Sequence, residues 1–337
     1  MKIRRKASLL LASAAVFSPV VANAAEIAPG APMRIRPVIE EDSPLKNMPP
    51  QLSAASCSQG VPGTVTMPDG TKRDVLITAG HCVWGVDGEM SMQPEVYVPT
   101  HEGDKLIGTR EHGAPVLNTD NENVEAVLNG DDWGTIVLID GVNATRIADS
   151  KDQFGNSQGQ PVELTSVRDY PDLKPGEVSF DEFGKPICKD GQTTGRTCGT
   201  QVLRTSNGLW YLGEVRPGDS GGVTFDPNTG EALGVTSMTV LGLVGRSQPA
   251  DVAIEKAYGI PDGQVNERFQ LPNSTEAHTP MRNFQDDTAA ANEWLMNNDP
   301  QVKQLQEQIS SVTEEIEKLI PLNAQNSIDE VTKIFAQ

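Results

Sequence analysis

The chain has 337 residues, which is more than one average domain and enough for a large core with an appended segment. It carries 27 Lys and Arg residues against 46 Asp and Glu residues, a formal net charge of −19. Because the phosphate backbone of DNA or RNA would repel so acidic a surface, the charge argues against a nucleic-acid-binding protein.

Residues 1–24 have the pattern of a secretory signal peptide. A basic start (residues 2–6) precedes an apolar run (residues 7–21), and residues 22–24, Ala-Asn-Ala, fit a small-x-small cleavage site. About fifteen apolar residues are too few to span a bilayer comfortably. We therefore expect a secreted protein, extracellular or associated with the cell envelope, with no transmembrane anchor after removal of the signal.

Residues 25–52 contain six prolines and charges of both signs. This composition predicts an extended Pro-rich arm or a short propeptide rather than a packed domain.

The four cysteines predict two disulfides, because an even count in an exported chain is typical of disulfide bonding. Cys57 with Cys82 would close a loop that carries His81, and Cys188 with Cys198 would close a short loop. Neither pair has the CxxC spacing of a zinc site, so the sequence predicts no metal and no cofactor.

From Cys57 to about Ile260 the pattern predicts a mainly β structure, since short runs of Val, Ile, Leu and Thr alternate with turn residues. The turn residues 68–70, Pro-Asp-Gly, predict a hairpin between the runs 63–67 and 73–78. Further strands are predicted at 135–139, 200–203, 210–212, 222–225 and 233–239. Many short strands at this spacing indicate a barrel or a sandwich.

Three segments in this region carry candidate chemistry. Ser220 lies in the run Arg-Pro-Gly-Asp-Ser-Gly-Gly, where the glycines allow a tight turn and the amides of Gly218 and Ser220 could stabilise an oxyanion. A serine hydroxyl needs a base, and the base needs an orienting group. His81, in Thr-Ala-Gly-His-Cys, could be the base, and Asp131 or Asp132 could orient it.

These motifs, in the order His, Asp, Ser, resemble those of the trypsin/chymotrypsin-like serine peptidases. The segment from Cys188 to Thr200 looks like the disulfide hairpin of the bacterial streptogrisin and alpha-lytic-type branch. The resemblance covers about residues 53–260 and implies two antiparallel β-barrels with the catalytic residues between them. It also implies a secreted serine endopeptidase that acts on polypeptide substrates without a cofactor.

The resemblance implies a catalytic triad of His81, Asp132 and Ser220, with Asp132 preferred because Asp132-Trp133-Gly134 fits the pattern Asp, any residue, small residue. It further implies that Lys189 pairs with Asp219.

The same resemblance places four residues near the substrate. Ser237, Met238 and Thr239 would belong to the strand and pocket wall that contact the substrate, which indicates a medium-sized apolar preference. Glu214 lies six residues before Ser220, where it could form the floor of a pocket for Lys or Arg side chains. The alternative, which we prefer, is that Glu214 faces solvent.

Beyond residue 260 the composition changes. Residues 261–280 are polar and predict a linker, and residues 281–337 predict helices that include a heptad pattern after Asp299-Pro300. The heptad positions are Val302, Leu305, Ile309, Val312, Ile316 and Leu319. These helices could pack on themselves or on the barrels, or they could mediate self-association or docking to the cell envelope.

Two other functions remain open at this stage. One is a catalytically idle binding or adhesion protein built on the same barrel scaffold, and the other is an esterase that uses the same triad. Every chemical position is filled, which favours an enzyme.

Overall fold

A computed structural model describes residues 24–41, 43–49, 52–86, 90–113, 124–301, 303–304 and 307–308. Nearly all of the predicted signal peptide and all six predicted heptad positions lie outside these residues.

The described part contains short strands, five α-helices and a 3₁₀ turn at Pro44–Asn47. The strands are β1 (Glu26–Ile27), β2 (Pro32–Pro37), β3 (Ala55–Ser58), β4 (Val61–Thr66), β5 (Lys72–Thr78), β6 (Gly85–Val86), β7 (Met90–Thr100), β8 (Gly103–Gly113), β9 (Gly134–Leu138), β10 (Asn143–Ala144), β11 (Ile147–Ala148), β12 (Val162–Glu163), β13 (Val178–Ser179), β14 (Pro186–Gly191), β15 (Gly195–Thr205), β16 (Gly208–Leu212), β17 (Val223–Phe225), β18 (Ala232–Val240), β19 (Val244–Pro249) and β20 (Phe269–Gln270). The helices are α1 (Gly80–Trp84), α2 (Val124–Asn129), α3 (Ala250–Tyr258), α4 (Val265–Arg268) and α5 (Phe284–Asn298).

Six strands close into an antiparallel barrel in the order β15-β14-β17-β18-β19-β16, because β16 pairs back with β15. Strand β13 extends this sheet at β15. The chain is therefore mainly β, and one of the two expected antiparallel barrels is present as a closed ladder.

The second sheet is antiparallel and larger, with the order β20-β4-β5-β9-β8-β7-β2-β3 and β6 paired to β7. It differs from the expected second barrel, because among the described residues its hydrogen-bonded ladder does not close. Strands β3 and β4 lie near opposite ends of the ladder but are joined by only Gln59 and Gly60. The covalent chain, rather than a ladder, brings the two ends of this sheet together.

Several sequence predictions are confirmed in these sheets. The predicted hairpin is β4–β5, in which Thr66 faces Lys72 across a turn with Gly70 at φ 85°. Asp69 Oδ1 accepts a hydrogen bond from the Thr71 amide at 2.9 Å, which stabilises that turn. The other predicted runs correspond to β9, β15, β16, β17 and β18.

The segment predicted to be a Pro-rich arm is different in its first part. Residues 32–37 form β2, which pairs with both β3 and β7 and buries Met33 and Ile35 completely. Pro32 and Pro37 stand at the two ends of the strand, where a missing N–H removes no ladder bond from its interior. The number of prolines in residues 25–52 therefore led to the prediction of an arm where part of the chain forms a strand inside the sheet.

The predicted linker 261–280 also contains ordered elements. After α4, strand β20 pairs with β4 and places Phe269 opposite Val65. Phe269 is buried, and its ring approaches Gly63 so closely that a Cβ there would lie 2.3 Å from the ring. A single aromatic side chain thus anchors a polar segment to the larger sheet.

A shared hydrophobic core lies between the two sheets and α3. Val61 and Ile77 of the larger sheet, Val223 and Val235 of the barrel, and Ile254 of α3 belong to one buried cluster. Helix α3 thus packs between the two sheets through its buried face. Among the described helices, none combines the length and apolar character needed to cross a bilayer.

The predicted helix near 281–297 is confirmed as α5, which starts with a capping box between Asn283 and Asp286. Helix α5 is tied to the larger sheet by Arg34, which is 1% exposed and whose Nε lies 2.8 Å from Asp287 Oδ2. Arg34 Nη1 also donates to Gln192 Oε1 at 2.8 Å, in the turn between β14 and β15. One guanidinium thus joins β2, the barrel and α5.

We expect Asp287→Asn to lower the free energy of unfolding by about 3 kcal/mol, because it leaves the buried Arg34 without its anionic partner. Urea denaturation of the full chain measures this change. The matched control is Glu293→Gln on the exposed side of α5, for which we expect less than about 0.5 kcal/mol. Equal effects of the two substitutions would contradict the role of Arg34.

Candidate active site

His81 lies in the first turn of α1, directly after β5. Its backbone amide donates to Asp132 Oδ1 at 2.9 Å, and its ring Nδ1 lies 2.9 Å from Asp132 Oδ2. Two contacts to one carboxylate fix both the backbone and the ring, so Nε2 is left for a reacting group.

Asp132 is 2% exposed and precedes β9. Its Oδ2 accepts a hydrogen bond from Ser237 Oγ at 2.5 Å, and its amide donates to Gln248 Oε1 at 3.1 Å. The alternative carboxylate, Asp131, is half-exposed and pairs with Lys256 Nζ at 2.6 Å. Of the two adjacent carboxylates, it is therefore Asp132 that contacts the imidazole.

The buried pair shifts both pKa values toward the charged forms. Burial alone would lower the pKa of His81, but the charge of Asp132 and its hydrogen bond outweigh burial and raise the pKa above its ordinary value. Burial alone would raise the pKa of Asp132, yet the imidazole and the Ser237 hydroxyl hold it below its usual range. Asp132 is thus suited to stabilise an imidazolium.

Ser220 lies in the turn between β16 and β17. Its carbonyl accepts from the Ser58 amide at 2.8 Å, and the next amide, Gly221, donates to the Thr236 carbonyl at 2.7 Å. Gly221 has φ 82°, and a Cβ there would lie 2.3 Å from Thr78 Oγ1. The turn is therefore held by both sheets and requires glycine beside the serine.

The serine turn and the imidazole have a common neighbour, the sulfur of Cys82. Cys82 Sγ lies 3.8 Å from His81 Nε2 and 3.5 Å from the position of a Cβ on Gly221. Within the described residues no hydrogen bond joins Ser220 Oγ to His81. In free enzymes such hydrogen bonds are often long and shorten only when substrate is bound.

Two backbone amides beside Ser220 are unengaged. The Pro217 carbonyl accepts from a threonine hydroxyl of the β14–β15 turn at 2.8 Å, and the Asp219 carbonyl accepts from the Gly222 amide at 3.0 Å. In a trans peptide the carbonyl and the following amide point in opposite directions, so Gly218 N–H and Ser220 N–H face away from these partners. Neither amide donates to another described residue. These two N–H groups can donate hydrogen bonds to an oxyanion.

Asp219 and Lys189 form an ion pair that is completely buried, with 2.9 Å between Nζ and Oδ2. The amides of Thr193 and Thr194 each donate to Asp219 Oδ1 at 3.0 Å, and the Arg216 amide donates to Oδ2 at 3.0 Å. Burial alone lowers the pKa of Lys189, against the opposing charge of Asp219. The ion pair expected between Lys189 and Asp219 is present, and backbone amides donate hydrogen bonds to Asp219.

Both predicted disulfides are present. Cys57–Cys82 joins β3 to α1, and Cys188–Cys198 joins directly opposed positions of β14 and β15. The Cys57–Cys82 sulfurs lie close to His81, but as a disulfide they offer no thiolate to a metal.

Strand β18 carries the other predicted substrate residues. Beyond Thr236, β18 pairs only with β19 among the described strands, so the edge that includes Met238 and Thr239 is open. Ser237 is buried and contacts Asp132 rather than the open edge. An extended peptide could add to this edge as a further strand.

Glu214 has a side chain that is 43% exposed, and its Oε1 lies 2.6 Å from Arg216 Nε. A half-exposed carboxylate already paired with an arginine fits the preferred interpretation, in which Glu214 faces solvent.

Several residues that support the site were not identified from the sequence. Ser58 Oγ donates to the Gly218 carbonyl at 2.8 Å, and Gln192 Nε2 donates to the same carbonyl at 3.3 Å. Arg246 Nη1 donates to Ser237 Oγ at 2.9 Å, although Arg246 is almost completely buried. Only Arg246 could have been found, because a cation within an otherwise uncharged strand indicates a buried partner.

No protein-family model matches the chain, and no curated protein matches it significantly. Solved structures that match include Nocardiopsis protease (17% identity, TM-score 0.43), Thermobifida fusca protease A (20%, 0.43) and Cellulomonas bogoriensis chymotrypsin (18%, 0.41). Each match covers 74% of this chain and 100% of the other. They are bacterial serine proteases of the chymotrypsin fold, but at these identities and scores we infer function only from the geometry of the site.

We expect Lys189→Met to lower the free energy of unfolding by about 3–5 kcal/mol, because Asp219 would be buried without a counter-charge. Urea denaturation measures the loss. Lys185→Met, which removes a half-exposed lysine just before β14, is the matched control and should cost less than about 1 kcal/mol. Unchanged stability of Lys189→Met would show that the backbone amides and the Thr194 hydroxyl are sufficient to support Asp219.

Proposed function

We propose that this protein is a secreted serine endopeptidase that hydrolyses peptide bonds through an acyl-enzyme intermediate. The observation that carries the proposal is the contact between His81 Nδ1 and the buried Asp132, next to a serine turn with two unengaged amides. This is the donor and acceptor set that acyl transfer needs.

In the proposed mechanism, Ser220 Oγ attacks the substrate carbonyl carbon while His81 Nε2 accepts the hydroxyl proton. The amides of Gly218 and Ser220 hold the oxyanion of the tetrahedral intermediate. The C–N bond then breaks as His81 returns the proton to the leaving amine, which leaves an ester on Ser220. Water, deprotonated by His81, attacks the ester carbonyl carbon. The bond from that carbon to Ser220 Oγ then breaks as His81 returns the proton to Oγ, and the acid product is released.

Asp132 holds the imidazole in the tautomer with a proton on Nδ1 and stabilises the imidazolium. Ser237 supports Asp132 through its hydroxyl, and Arg246 supports Ser237. A buried cation linked to the carboxylate oxygen through the Ser237 hydroxyl favours the ionised form of Asp132.

The proposed substrate is an extended polypeptide that pairs with the open edge of β18. Met238 and Thr239 would contact its side chains, which favours a medium-sized apolar residue. The predicted signal peptide and the two disulfides support secretion. Self-association or envelope docking through the C-terminal helices stays a prediction, since the heptad positions lie outside the described residues.

We expect a phosphonofluoridate reagent to label Ser220 stoichiometrically at neutral pH, with mass spectrometry of the modified peptide as the readout. Ser220→Ala should abolish labelling and lower kcat/KM on a peptide amide by about 10⁴-fold or more. Absence of labelling would favour the idle scaffold. Labelling with turnover of esters but not of amides would favour an esterase.

We expect kcat/KM to fall as the pH falls through the pKa of His81, because only the neutral imidazole can accept the serine proton. Since Asp132 raises that pKa, the inflection should lie above the ordinary value of 6.5. Asp132→Asn should move it to lower pH and reduce kcat/KM by about 10⁴-fold. Asp131→Asn is the matched control and should leave the profile unchanged. Equal effects of the two variants would contradict the assignment.

A further inference from the structure

Five carboxylates that the proposed catalysis does not use converge on the outer side of α3. We call Asp169, Asp172, Asp251, Glu255 and Asp262 the carboxylate cluster. The first two precede the barrel hairpins, Asp251 and Glu255 lie on α3, and Asp262 lies in the turn between α3 and α4. The fold therefore brings carboxylates that are distant in sequence together beside α3.

Three members of the cluster are spaced to share one ion. One oxygen each from Asp169, Glu255 and Asp262 lie within 4.8 Å of one another. Ca²⁺ binds oxygen at about 2.3–2.6 Å, so two ligands on opposite sides of one ion lie up to about 5 Å apart. A single Ca²⁺ can therefore contact all three carboxylates.

Glu255 provides an independent sign that a ligand is missing. The residue is only 8% exposed, and its Oε1 has no hydrogen-bond donor among the described residues. A buried carboxylate oxygen without a donor or a cation is costly, so native proteins rarely keep one.

The cations nearest the cluster have salt-bridge partners elsewhere. None of the five carboxylates forms a salt bridge within the described part of the chain, and the neighbouring Lys256 and Arg204 pair with Asp131 and Asp181 instead. The donors that reach the cluster are backbone amides.

Those amides orient two of the three carboxylates. The amides of Gly263 and Val265 donate to Asp169 at 3.2 and 2.9 Å, and the Asp172 amide donates to Asp262 at 3.3 Å. Each carboxylate oxygen that accepts one amide keeps a lone pair for a metal. These bonds therefore position Asp169 and Asp262 as ligands without satisfying Glu255.

We propose that Asp169, Glu255 and Asp262 bind one Ca²⁺ ion. Carboxylate oxygens are hard ligands that suit Ca²⁺, and an open cleft of 380 Å³ lined by Asp169 and Asp262 gives the ion and its waters access from solvent. The bound ion ties the loop at 169 to α3 and to the following turn. The sequence predicted no metal site, because residues 169, 255 and 262 form no local motif.

The test uses the full chain carrying Ser220→Ala, so that autolysis and catalysis play no part in the result. After treatment with EDTA and dialysis, calorimetric titration with Ca²⁺ should show one site with a Kd between about 10⁻⁶ and 10⁻³ M. A 100-fold excess of Ca²⁺ over Kd should raise the melting temperature by about 5 °C or more.

Glu255→Gln should weaken Ca²⁺ binding by about tenfold or more, because it replaces a charged ligand by a neutral one. Glu267→Gln, at an exposed residue lining the same cleft, is the matched control and should bind as the parent does. If Glu255→Gln does not fold, Asp262→Asn at the exposed ligand replaces it.

Two results would overturn the inference. One is the absence of saturable binding up to about 10 mM Ca²⁺ together with a melting temperature that EDTA leaves unchanged. The other is binding that the ligand substitution does not weaken, which would place the ion elsewhere. Neither result depends on whether Ser220 is a nucleophile.

Discussion

The buried ion pair between Lys189 and Asp219 is the constraint on which the site depends. Two charges removed from water are tolerated only when their hydrogen bonds are nearly all supplied. The β14–β15 turn supplies them through the amides of Thr193 and Thr194, and the Cys188–Cys198 disulfide holds that hairpin closed. The peptides on either side of Asp219 are thereby fixed, and the amides of Gly218 and Ser220 remain without an acceptor among the described residues.

A second buried carboxylate, Asp132, is supported in the same way from the other side of the site. It receives the Ser237 hydroxyl and the His81 amide, and Arg246 adds a cation behind Ser237. Asp132 thus draws its donors from both the barrel and the larger sheet, whereas the donors of Asp219 all come from the barrel and its loops. The hydrophobic core around α3 is shared by the barrel and the larger sheet and holds the two together. The contacts that stabilise the fold therefore also set the geometry of the site.

The sequence predicts the local structure around His81, Asp132 and Ser220 because each of these motifs is local. His81 follows a strand, Asp132 precedes one, and Ser220 lies among glycines. The residues adjacent in sequence therefore indicate the local structure around each of the three. Contacts made across the fold leave no such trace: nothing near Arg34 in the sequence indicates Gln192 or Asp287. The Pro-rich segment was misassigned for the opposite reason, since its prolines mark the ends of a strand rather than its absence.

Strand β2 has a consequence for how the enzyme would be controlled. It lies between β3 and β7, and Arg34 within it reaches both the β14–β15 turn and α5. Removal of β2 would leave β3 and β7 without a hydrogen-bonding partner and would expose the apolar side chains that pack against Met33 and Ile35 to water. Loss of β2 would therefore destroy the fold instead of activating a latent zymogen. In the proposed peptidase, β2 therefore belongs to the same sheet as β5, the strand that leads into His81, and its loss would remove part of the framework of the site rather than unmask it.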